Sequence, residues 1–230
     1  MFIPLHDDTP LRLIRFQYGT LGLIVLNLGI FLYTGVLNGA ALANLYAVIF
    51  GVIPVELFNT PLPIVAAFNP IIEPVTLLTY MFLHGSWMHL ISNMLFLWVF
   101  GDNVEDAFGL IGFLMFYILC GVLAALAHAF FDPQSANPLI GASGAVSGVL
   151  AAYLLLYPKA RVWILLFMRI PLRISALWVL CGWFLLQIVS LFMAEAEGQQ
   201  VAWWAHIGGF IAGLMLTLIL RSSFVARAAR

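Results

Sequence analysis

PVTLLTYMFLHGSWMHLISNMLFLWVFG, residues 74–101, contains no Asp, Glu, Lys or Arg. At 1.5 Å rise per residue, about 20 apolar residues cross the roughly 30 Å hydrocarbon layer of a bilayer. The run is longer than one crossing needs, so we place a span at 84–101 and the preceding turns at the membrane surface. Charge-free windows also occur at 16–55, 107–131, 133–158, 174–194 and 198–220. Asn38, Gly39 and Asn44 interrupt the first of these, leaving a span near 18–37. The remaining piece, 40–54, is short for a crossing and reads as interfacial or re-entrant. The expected organisation is a single domain over 1–230, with six spans near 18–37, 84–101, 109–131, 141–158, 174–194 and 201–220.

Composition excludes the other broad classes. The 230 residues are 64% hydrophobic and only 8% charged, and the mean hydropathy is +1.08. Soluble domains carry about 25% charged residues. A soluble enzyme, a nucleic-acid binder and a disordered chain are therefore ruled out; the fold class is an all-α polytopic membrane protein in a lipid bilayer. Cys120 and Cys181 lie inside apolar stretches without metal-ligand spacing and read as small hydrophobes. No signal peptide is expected, since Asp7 and Asp8 precede the first apolar run.

The basic residues orient the spans. With six crossings, Arg12, Arg15, Lys159, Arg161, Arg169, Arg173, Arg221, Arg227 and Arg230 all fall on one side. The positive-inside rule makes that side cytoplasmic, with both termini inside. A seventh span at 40–54 would move most of them outside. The outer segments carry only acids: Glu56, Glu73, Asp132, Glu195 and Glu197. The long outer segment, about 38–74, holds Pro54, Pro61, Pro63, Pro70 and Pro74. It is too apolar for a solvated linker and reads as a loop lying partly in the outer leaflet.

Polar residues inside spans are costly and are functional suspects by default. Span 2 opens with His84, His89 and Asn93, span 4 with Gly141-Ala142-Ser143-Gly144, and span 6 contains Ala205-His206-Ile207-Gly208-Gly209. All three spans start from the outer face, so Ser143 and His206 share a depth, at most roughly 10 Å below the surface. Gly144 and Gly148 on span 4, and Ala205, Gly209 and Gly213 on span 6, are small-xxx-small patterns that let helix backbones approach closely. If those faces pack, the Ser143 hydroxyl meets the His206 imidazole. A hydroxyl needs such a base to become a nucleophile, and the oxyanion it generates needs fixed donors. His89 and Asn93 are i and i+4 and point the same way. His84 is a candidate structural donor tying down the outer loop.

These motifs, H-x-x-x-x-H-x-x-x-N, G-x-S-G and A-H-x-x-G-x-x-x-G on spans 2, 4 and 6, resemble those of rhomboid intramembrane serine proteases. The resemblance covers about 18–220 and implies the six-helix rhomboid core of the minimal prokaryotic type. It implies Ser143 as nucleophile and His206 as general base of a dyad without an acid. It also implies an oxyanion site built from the Ser143 N–H, Asn93 and His89. Its expected partners are single-span transmembrane substrates, cut near the outer face after a small residue, and its expected location is the prokaryotic inner membrane. No cofactor or metal is required; no zinc spacing such as H-E-x-x-H occurs. The alternative is a non-catalytic rhomboid-like protein that binds or chaperones membrane clients, but such relatives typically lack the serine or the histidine.

Two positions depart from the family pattern. Val75-Thr76 stands where the outer loop often has Trp-Arg, and Ser147 stands where an aromatic residue often packs on the catalytic imidazole. The orientation of His206 therefore depends on something else. Trp203 and Trp204 read as interfacial belt residues. His128 reads as interfacial too, and Asp102, Glu105 and Asp106 as a helix-end or loop-fixing cluster at the cytoplasmic end of span 2. Trp183 and Phe184 on span 5 are gate candidates, which packing against lipid explains equally well.

Overall fold

The computed structural model describes residues 2–58, 73–197 and 202–228. The middle of the loop between the first two spans, with Pro61, Pro63 and Pro70, lies outside the described residues. The first span is α1, Tyr18–Phe31, extended by a wider π-type turn over Leu32–Leu37. Next come α2, Gly39–Phe50, and the short α3, Pro54–Phe58. At about 18 Å, α2 is too short to cross a bilayer. After it, α4, Glu73–Thr79, leads through a 3-10 turn over Tyr80–Phe82 into α5, Trp87–Phe131.

Run straight, the 45 residues of α5 would extend about 68 Å, more than two bilayer cores. They do not run straight. Gly109 breaks the helix at φ 70° and ψ 164°, a conformation that glycine adopts without a Cβ penalty. Both far ends of the two arms then reach the same place. The ring of His89 lies against Gly141, and the methyl of Ala124 lies against Gly144. The arms are antiparallel neighbours, packed near the break through Phe108 on Phe116, with ring centroids 4.9 Å apart.

Three helices complete the bundle: α6, Ser143–Leu156; α7, Ala176–Glu197; and α8, Trp203–Ala228. With α1 and the two arms of α5 they make the six-helix membrane core. Helix α6 has 14 residues and is about 21 Å long, less than a full crossing. It can be short because its neighbours cover it: Ala145, Val149, Leu150, Ala151, Ala152 and Tyr153 have no exposed surface. Its first residue is Ser143, at the end of the bundle where the α5–α6 connection enters.

An antiparallel sheet lies at the opposite end, a feature absent from an all-helical reading. Strand β1, Phe2–Asp7, pairs with β2, Arg161–Leu166, which pairs with β3, Ile170–Ser175. This pairing puts the N-terminal segment and the α6–α7 connection at one end of the helix bundle. At the other end Val52 and Leu139 exchange backbone hydrogen bonds of 3.1 and 2.8 Å, joining the α2–α3 and α5–α6 connections. Asp8 pairs with Arg173 across the sheet, with Nε donating at 2.7 Å.

The acidic cluster fixes the N-terminal segment, as its position at the end of span 2 suggests. Glu105 accepts from the Gly19 and Thr20 amides at 2.8 Å and from the Thr20 hydroxyl at 2.9 Å. These are orphan donors at the start of α1, where a carboxylate also favours the positive end of the helix dipole. Asp106 accepts from the amides of Arg12, Leu13 and Ile14 at 2.7 to 3.0 Å.

Candidate active site

Ser143 is the first residue of α6 and His206 the fourth of α8. Their helices meet along glycine. A Cβ at Gly209 would run into the Gly144 carbonyl, and one at Gly213 into the Gly148 carbonyl. Without side chains at these points the two backbones touch, which is how helices associate where lipid supplies no hydrophobic drive. The contact holds residues 143 and 206 at one height. His206 Nε2 lies 2.8 Å from Ser143 Oγ. Both side chains are only half-buried, so a reactant can reach them from the end of the bundle opposite the sheet.

The remaining candidates surround this pair. A Cβ on Gly141 would come 2.5 Å from the His89 Nε2, so the imidazole rests on the backbone just before Ser143. His84 is buried and stands edge-on to His89, with centroids 5.0 Å apart. Asn93 is buried, and its amide nitrogen has no protein partner. That is costly unless another molecule supplies an acceptor. At the start of α6 the Ser143 amide precedes the first helical bond, Val146 N–H to the Ala142 carbonyl, and so has no helical acceptor. Among the described residues no group of His, Cys, Asp and Glu is arranged to hold a metal ion.

Two of the remaining positions gain tertiary contacts. His128 is buried, 8% exposed, because the second arm of α5 is wedged against α6 and α8 through Ala124 and Ala127. Trp203 is not simply a belt residue: its ring stands edge-on to His206 at 5.8 Å. Trp204 stacks on Phe131 at 4.1 Å. Of the gate candidates, Trp183 lies 6.3 Å from the rings of both His206 and Phe96, while Phe184 stacks on Phe210 at 4.2 Å.

Ser147 does not touch the imidazole; its hydroxyl donates to the Ser143 carbonyl at 2.6 Å. The group that does hold the ring is Gln187, on α7, whose Oε1 lies 2.8 Å from His206 Nδ1. Gln187 is absent from the motifs; the signal the sequence offers for it is that it is the lone amide of the charge-free 174–194 span.

Residues 72–223 match the family model described as Rhomboid domain. The chain belongs to the rhomboid family. The protein named Rhomboid protease GlpG of Salmonella newport (strain SL254) is 29% identical to it over 158 residues, 66% of this chain and 51% of that one. RHOMBOID-like protein 5 of Arabidopsis thaliana is 29% identical over 144 residues, 63% and 43% of the two chains. RHOMBOID-like protein 6, mitochondrial, of the same plant is 30% identical over 148 residues, 64% and 44%. This rhomboid spans about half the length of these curated relatives.

Proposed function

We propose that this rhomboid is an intramembrane serine endopeptidase working through a Ser143–His206 dyad. The observation that carries the reading is the 2.8 Å contact between Ser143 Oγ and His206 Nε2, made by two helices whose glycines bring them together. In the first step His206 takes the hydroxyl proton as Ser143 Oγ attacks the scissile carbonyl carbon. The resulting oxyanion is received by the Ser143 N–H, the Asn93 amide and the His89 ring N–H. The imidazolium then gives its proton to the leaving amine as the peptide C–N bond breaks, leaving an acyl-enzyme. His206 then takes a proton from water as the water oxygen attacks the ester carbonyl, and the imidazolium returns that proton to Ser143 Oγ as the acyl C–O bond breaks and the acid product leaves.

The substrate class follows from the depth of the site. A regular helix hides its carbonyls in its own hydrogen bonds, so a target must unwind where it meets Ser143. Single-span proteins with a weak helix near the outer face, cut after a small residue, suit this site. By the charge bias of the loops the sheet faces the cytoplasm and the dyad the exterior, in a prokaryotic inner membrane.

A fluorophosphonate probe, which captures activated serines, is expected to label the wild-type protein and leave Ser143→Ala unlabelled. Equal labelling of the two would remove Ser143 as nucleophile and leave a client-binding role. Asn93→Ala is expected to raise the barrier by about 2–4 kcal/mol, as loss of an oxyanion donor does. The check is turnover of a single-span substrate; an unchanged rate takes Asn93 out of the oxyanion site.

A further inference from the structure

Helix α7 is largely turned outward: Leu185 is 60% exposed, Leu186 50% and Val189 48%. Gln187, between them, is 7% exposed. A primary amide buried in a membrane helix is costly unless both of its ends are bonded. Both are. Its Nε2 donates to the Trp183 carbonyl one turn back at 3.3 Å, and its Oε1 meets His206 Nδ1 at 2.8 Å.

The first bond determines the second. The Trp183 carbonyl can only accept, so the amide end facing it is the NH2 group. Turning the amide over would set two carbonyl oxygens against each other. Oε1 therefore faces the imidazole, and since it too can only accept, Nδ1 carries the ring proton. A neutral imidazole has one protonated nitrogen. Nε2 is left with its lone pair directed at the Ser143 hydroxyl, which is the tautomer a general base requires.

We propose that Gln187 is the positioning residue of this dyad, holding His206 in the Nδ1–H tautomer and in the plane that meets Ser143. It takes the orienting place that a buried carboxylate fills in Ser-His-Asp sites, without placing a charge inside a membrane helix. When His206 becomes an imidazolium, the same oxygen keeps the Nδ1 proton bonded. The inference rests on the protease reading above.

The test compares full-length wild type, Gln187→Met, Gln187→Glu and Ser143→Ala on one single-span substrate, with melting temperatures alongside. Methionine keeps the volume and removes the acceptor. Gln187→Met is expected to lower kcat at least about tenfold, the smallest loss seen when the hydrogen-bond partner of a metal-bound histidine is removed, with KM and melting temperature held. Gln187→Glu restores an acceptor, so its rate recovers at high pH. Its carboxylate favours the imidazolium, so the acid limb of its kcat/KM profile moves to higher pH. Among the described residues the other titratable groups facing His206 are His89 and His128, from the two arms of α5; both are common to all the variants, so a moved limb reports position 187.

A merely structural glutamine moves neither kcat alone nor the limb. Gln187→Met within twofold of wild-type kcat, or Gln187→Glu with an unmoved limb, overturns the inference while leaving the protease reading intact. If Gln187→Met does not fold, the limb of Gln187→Glu decides. Wild-type cleavage that persists undiminished in Ser143→Ala overturns the dyad and the inference together.

Discussion

His206→Ala is expected to slow peptide cleavage by at least about a thousandfold, within or beyond the range that a positioned general base contributes. The imidazole is the sole ring within hydrogen-bond reach of Ser143 Oγ among the described residues. Without it the hydroxyl attacks as a neutral alcohol, and the leaving amine departs without a proton. The backbone contacts of α8 with α6 run through Ala205, Gly209 and Gly213, so the variant keeps its fold. Turnover of a single-span substrate measures the loss, and melting temperature reports the fold. Because both side chains are only half-buried, free imidazole is expected to restore part of the rate. A variant turning over within tenfold of wild type would remove His206 from the base role.

Gly209→Leu is expected to cost more than about 3 kcal/mol of stability, the upper end of ordinary overpacking, and to abolish fluorophosphonate labelling as well. Its first side-chain carbon already collides with the Gly144 carbonyl, which is backbone and cannot rotate away. Sliding α8 outward does not help, because Gly213 holds the same relation to Gly148 one turn on. Relief requires separating α6 from α8, which also separates Ser143 from His206. Gly182→Ala is the control, since nothing lies within 4 Å of a Cβ there; it is expected to melt and label as wild type does. If Gly209→Leu matches that control, the close helix contact is not what holds the dyad together.

Much of the membrane architecture was legible from composition because hydrocarbon punishes charge uniformly. The windows around 18–37, 84–101 and 201–220 are apolar for the same reason wherever they lie in the bundle. The split in α5 was legible as well, since Asp102, Glu105 and Asp106 interrupt the apolar run. Their bonds to residues 12–20 were not, because the partners are backbone amides and any sequence offers those. The sheet escaped for a different reason. Its hairpin turns through Phe167 and Met168, both at positive φ, where the usual signal is Asn-Gly or Asp-Gly. Its other partner, Phe2–Asp7, lies far away in the chain.

The site divides in the same way. Serine and histidine stood out because an isolated polar group in a span demands an explanation, and their equal depth followed from counting residues along helices. Helical phase and small residues established which faces were able to meet. Whether they do, and which neighbour then seizes the far side of the imidazole, depends on how the helices are arranged around one another. Gln187 reaches His206 because α7 stands beside α8 at one rotation about its own axis, and no local pattern specifies that rotation. Hydrophobicity determined what enters the membrane; backbone contact at glycine and a single amide decided which atoms touch once inside, because those interactions are short-ranged and exist only after the chain has packed.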